Sequence, residues 1–122
     1  MQTQLIHQNG LPIAVVTSET VLIEDAASAL DLLANVRYET DCDRMVVEKS
    51  AVAEAFFKLS TGLAGEVLQK FINYQMKLAI VGDFSGYTSK PLKDFIYESN
   101  SGRDIFFVAT QEEALAKLAS AR

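Results

Sequence analysis

The chain has 122 residues, 49% of them apolar and 22% charged, and a net charge of −5 at pH 7. That length holds one domain with its own core, and it excludes two. An acidic chain with no basic stripe also excludes nucleic-acid binding as its main task, because neutralised phosphates supply most of that affinity.

The N-terminus, Met1-Gln2-Thr3-Gln4, has no basic residue ahead of an apolar run. No apolar stretch approaches the roughly 20 residues of a membrane span. Both features predict a soluble cytoplasmic protein without a membrane partner. Gln4-Leu5-Ile6-His7 and Ile13-Ala14-Val15-Val16 flank Asn9-Gly10. That pair tolerates positive φ at both positions and predicts a tight hairpin. Pro12 lacks an N–H, which places the hairpin at a sheet edge. His7 is the single histidine and reads as a surface residue of this hairpin.

Val21-Leu22-Ile23 reads as a short extended run or loop. Asp25 then caps a helix with an apolar stripe at Ala26, Ala29, Leu30, Leu33 and Ala34. The single cysteine, Cys42, excludes an internal disulfide and any cysteine-rich zinc site. It lies in Asp41-Cys42-Asp43, where carboxylates disfavour a thiolate. Met45-Val46-Val47 is too apolar for a half-exposed strand and predicts a central parallel one.

Phe56-Phe57 fall in a short helical turn or loop, and one of the two is assigned to a contact surface. The next helix places Leu63, Val67, Leu68, Phe71 and Ile72 on one face, with Ala64 and Gly65 allowing close approach to the sheet. Leu78–Val81 reads as a second buried strand. Pro91 opens a further helix, and Gly102 ends it in the left-handed region. Ile105-Phe106-Phe107-Val108 forms the last strand. Thr110 and Glu113 make a capping box for the last helix, with Leu115 and Leu118 inward.

The fold class is therefore α/β: a single domain of 1–122, with a mostly parallel, mixed five-stranded sheet, an antiparallel edge hairpin and about four helices. The aromatics Phe56, Phe57, Phe84, Phe95, Tyr97, Phe106 and Phe107 are assigned mainly to the core.

Two sites stand out. Ser60, Thr61 and Gly62 lie at a helix N-terminus, where a hydroxyl caps the helix or accepts phosphate, and where backbone N–H groups favour negative charge. Glu24, Asp25, Glu48 and Asp83 end apolar runs, so parallel strands would collect these carboxylates at one sheet edge. Ligand sites of open α/β sheets lie at that edge. The structural alternative is that Asp25 caps a helix, Glu48 pairs with Lys49 or Lys58, and Asp83 organises its own turn. Glu48, Asp83, Ser85, Thr88, Ser89 and Lys90 are the candidate ligand-binding residues. Ser89-Lys90-Pro91 is not the Gly-Lys-Ser/Thr of a phosphate loop, and Ser89 also serves as a helix cap. No metal, cofactor or catalytic residue is assigned: zinc lacks ligands, and no Gly-x-Ser-x-Gly elbow accompanies His7.

Two runs carry a family resemblance. They are Thr61-Gly62-Leu63-Ala64-Gly65-Glu66 through Lys77-Leu78-Ala79-Ile80-Val81-Gly82-Asp83-Phe84, and Tyr87-Thr88-Ser89-Lys90 with Asp94-Phe95-Ile96-Tyr97-Glu98-Ser99-Asn100. They resemble the bacterial family called domain of unknown function 4180, which implies no particular reaction. The order of elements is also similar to the STAS domain of anti-sigma-factor antagonists and sulfate transporters. That likeness implies a regulatory domain with a protein partner and a phosphorylated serine, which falls at Ser60. The acid that precedes the serine in that family is replaced here by Leu59, and the approach loop is longer. A homodimer through the edge hairpin is compatible with either site.

Overall fold

The computed structural model describes residues 1–121. Strand β1 (Gln2–Gln8) and strand β2 (Leu11–Thr17) form the hairpin, closed by Asn9 at φ 53° and Gly10 at φ 80°. Helix α1 (Ala26–Thr40) leads to β3 (Arg44–Glu48). Three short 3-10 turns, Lys49–Ala51, Glu54–Phe57 and Leu59–Thr61, then lead to α2 (Leu63–Asn73). The chain continues through β4 (Lys77–Val81), α3 (Lys90–Ser101), β5 (Ile105–Val108) and α4 (Gln111–Ser120).

The strands lie in chain order, β1-β2-β3-β4-β5, antiparallel between β1 and β2 and parallel thereafter. Each crossover steps the same way across the sheet, so right-handed connections stack α1, α2 and α3 on one face. The main core forms there, from Ala29, Leu33, Val67, Phe71 and Leu92 against Met45, Val47, Leu78, Ile80 and Phe107. The opposite face is left to α4, whose Ala114 and Leu118 pack on Ile13, Val15, Val46, Ala79 and Phe106. Near-continuous apolar strands follow from burial on both faces.

Several local expectations change. In α1 the buried residues are Ala29, Leu32, Leu33 and Val36, while Ala34 is exposed. Both stripes have helical spacing, and the one with more branched carbon is buried. Ile72 is 46% exposed, and a Cβ on Gly65 would meet nothing within 4 Å, so Ala64 alone provides the close approach of α2. Phe56 and Phe57 are both buried, because the 3-10 turn does not alternate its side chains as a strand does. Tyr97 is 75% exposed. Gly102 caps α3 with φ −88°, outside the left-handed region. Arg44 is buried at the start of β3, where its Nη1 donates to Leu118 O at 2.9 Å and satisfies a carbonyl of the last turn of α4. Among the described residues no helix is long and apolar enough to cross a membrane.

Candidate functional site

The carboxyl edge of the parallel strands and the loop before α2 hold the candidate residues. Glu48 ends β3, and Asp83 follows Gly82 after β4; both line one shallow groove with Lys49, Ser50, Glu54 and Gly82. The expected gathering at the edge is therefore realised for Glu48 and Asp83. Asp25 instead caps α1, accepting from Ser28 N at 2.8 Å, while the Asp25 N–H donates to Ser28 Oγ at 3.0 Å. Its carboxyl is held below the ordinary aspartate range, chiefly by the backbone bond from Ser28.

Lys49, expected from the sequence only as a partner for Glu48, organises the groove. Its stem crosses Gly82 so closely that a Cβ added there would lie 2.6 Å from Lys49 Cβ. The absence of a side chain at Gly82 is what lets the lysine pass. The ammonium ends 4.8 Å from the Tyr87 ring centroid and 5.7 Å from that of Phe57. Those rings stack at 5.2 Å and 19°. A cation over an aromatic face contributes about 0.5–1 kcal/mol at such partly wet positions. The Tyr87 hydroxyl donates to Glu54 Oε1 at 2.9 Å. Burial first, then the Glu54 carboxylate, pushes the phenol above its usual value, opposed by Lys49. No salt bridge joins Glu48 to Lys49 or Lys58 among the described residues.

Asp83 accepts from Ser85 Oγ at 2.6 Å and from Ser85 N at 2.9 Å, which closes the turn after β4. Those two bonds, the hydroxyl's first, hold its carboxyl low, and Lys49 adds a smaller Coulombic share. Ser89 caps α3 by accepting from Leu92 N at 3.4 Å. The Lys90 ammonium bonds Asp94 at 2.7 Å one turn along the helix. Thr88 is exposed. Thus Ser85, Ser89 and Lys90 spend their polar groups on local structure, and Thr88, Ser89 and Lys90 do not line the groove of Glu48 and Asp83.

Beyond the groove, the edge is filled. Phe84 and Tyr87 pack on Phe57, and Phe84 meets Phe107 edge to face at 5.6 Å and 85°. The strand order never reverses, so the sheet has no switch point, the place where doubly wound sheets open a ligand crevice. Among the described residues no group of three or more His, Cys, Asp or Glu could hold a metal ion.

The loop before α2 differs between its two hydroxyls. Thr61 Oγ1 donates towards Lys58 O at 2.8 Å and Ala55 O at 2.9 Å, and accepts from Leu63 N at 3.2 Å. It therefore satisfies a first-turn N–H of α2 from one position ahead of the N-cap. The N-cap is Gly62, at φ 76°, where a side chain would be strained. Ser60 is exposed and its hydroxyl makes no hydrogen bond among the described residues.

Residues 8–118 match the family described as Domain of unknown function (DUF4180). The chain belongs to that family. No curated protein and no solved structure matches it. No structural match therefore supports the likeness to STAS domains. The matched span contains both the Glu48–Asp83 groove and the Ser60 loop.

Proposed function

We propose that this domain is a non-enzymatic regulatory module that binds a protein partner through Ser60, Thr61, Gly62 and the first turn of α2. Phosphorylation of Ser60 switches the contact. The observation that carries this reading is the division of labour between neighbouring hydroxyls: Thr61 holds the loop, and Ser60 stands exposed and uncommitted at the start of α2. A phosphate at Ser60 would add negative charge to a contact face just ahead of Gly62, the N-cap of α2. The similarity of element order to STAS domains supports the same residue.

The competing reading is a binding protein or enzyme for a small anionic ligand, a nucleotide or phosphorylated metabolite, held at the carboxyl edge by Glu48, Asp83, Ser85, Thr88, Ser89 and Lys90. The aromatic filling of that edge, the absence of a switch point and the internal pairing of Lys90 weigh against it.

Intact-mass and peptide analysis of the protein purified from its own host tests the proposal. A phosphate on Ser60 is expected, absent in Ser60→Ala. Any co-purifying protein should stay with Ser60→Ala and be lost from Ser60→Asp. An unmodified Ser60, with identical co-purification by all three forms, sinks the switch. A large thermal shift with a nucleotide or sugar phosphate would restore the competing reading, since a tight ligand stabilises by mass action.

A further inference from the structure

An open sheet has two edges, and this molecule treats them differently. The β5 edge is short and partly covered. It has four residues, and the side-chain amide of Asn100 covers one of them, donating to Phe107 O at 3.0 Å and accepting from Phe107 N at 2.7 Å. One amide thus occupies the place of a neighbouring strand. The β1 edge has no such device. Gln2–Gln8 is seven residues long, pairs with β2 without a bulge, and contains no proline, lysine or carboxylate. Exposed edges are normally blunted by one of those features.

The hairpin fixes which backbone groups are free. Its two-residue turn closes on the Gln8–Leu11 pair, so Gln8, Ile6, Gln4 and Gln2 direct N–H and C=O toward β2. Thr3, Leu5 and His7 direct theirs outward. The side chains of these three residues also share one face, opposite Val16, Ala14 and Pro12. Leu5 is 45% exposed, and Thr3 Oγ1 is buried with no hydrogen-bond partner among the described residues.

From this we infer that β1 pairs antiparallel with β1 of a second copy, about a two-fold axis through Leu5. Leu5 then faces Leu5, Gln4 faces Ile6, Thr3 faces His7, and Gln2 faces Gln8. Every outward N–H and C=O of Thr3, Leu5 and His7 finds a partner in this register. The second copy's His7 lies opposite Thr3 in this register. A like copy fits better than a foreign strand, because the segment meets itself with Leu5 on Leu5 at the centre and glutamine on glutamine at the ends. Charge favours the same place. Two copies at −5 each repel, and residues 2–8 carry no Asp, Glu, Lys or Arg. The two sheets join into one continuous sheet.

Sedimentation of the full chain should give twice the 13.4 kDa chain mass. Leu5→Pro removes an outward N–H and spares the β2 ladder; Leu5→Lys sets two ammonium groups against each other across the axis. Each should weaken the dimer at least tenfold while circular dichroism stays native. If Leu5→Pro does not fold, Leu5→Lys decides alone. Amide exchange at Thr3, Leu5 and His7 should quicken on dilution, with Gln4 and Ile6 unchanged. A wild-type monomer across the accessible concentration range overturns the inference, as does a dimer that persists in the folded variants.

Discussion

Gly82 shows how one missing side chain can set a site. The Lys49 stem occupies the space a Cβ would need, at 2.6 Å from its own Cβ, which is near the backbone and cannot swing away. Gly82→Ala should therefore destabilise the fold by about 1–3 kcal/mol, the usual range for overpacking, measured by urea unfolding. Lys49→Gly in the same chain should recover part of that loss, whereas an additive result would place the strain elsewhere. The carboxylates make a second residue-level case. Asp25 and Asp83 both have folded pKa values below the ordinary one. Their stabilisation is present above the unfolded aspartate value of about 3.9 and is lost as pH falls through the lower folded values. Asp25→Asn and Asp83→Asn should each flatten the acid limb of a stability–pH curve; an unchanged limb would show that neither bond persists in solution.

At the element scale, the two ends of the sheet and its two faces carry unequal risk. Asn100 reaches from α3 to satisfy both polar groups of Phe107. Asn100→Ala leaves a buried N–H and C=O without their partner and should cost about 1–3 kcal/mol. The same variant opens the β5 edge, so light scattering on warming should rise earlier than for the parent. Helix α4 has a similar position on the sparsely covered face. Leu118 is fully buried, and its carbonyl is the acceptor for Arg44. Leu118→Ala should cost about 2–5 kcal/mol, the range for a buried leucine truncated to alanine, read from denaturant midpoints. A loss well under 1 kcal/mol would mean that α4 re-docks by sliding along the sheet.

For the whole molecule, the direction of winding decides where function can lie. Strands added in one direction give a helical face, a face with a single helix, and no crevice between oppositely wound halves. A sheet of this kind offers surfaces and edges before it offers a pocket. That is why the exposed Ser60 loop and the open β1 edge, rather than the carboxyl edge, carry the two proposals. The carboxyl edge is occupied instead by Phe57, Phe84, Tyr87 and the Lys49 ammonium.

The element order was legible from local signals. Asn9-Gly10 specifies its turn through backbone conformation alone, Asp25 and Thr110 cap their helices within one turn of themselves, and the apolar runs at Met45 and Leu78 need no distant partner to read as buried strands. The functional geometry was not legible in this way, because it depends on contacts between residues far apart in the chain. Lys49 meets Tyr87, Tyr87 meets Glu54, and Asn100 meets Phe107 only once parallel strands bring their loops to a common edge. Which stripe of α1 turns inward, and why Phe56 and Phe57 are both buried, was settled by what packs against them. Sequence by itself determined the α/β class, the hairpin and the Asp25, Ser89 and Thr110 caps, since each is a local choice of backbone angle or hydrogen bond. Tertiary structure alone decided which polar groups remain unspent, because a side chain's partners are set by the neighbours that folding brings to it.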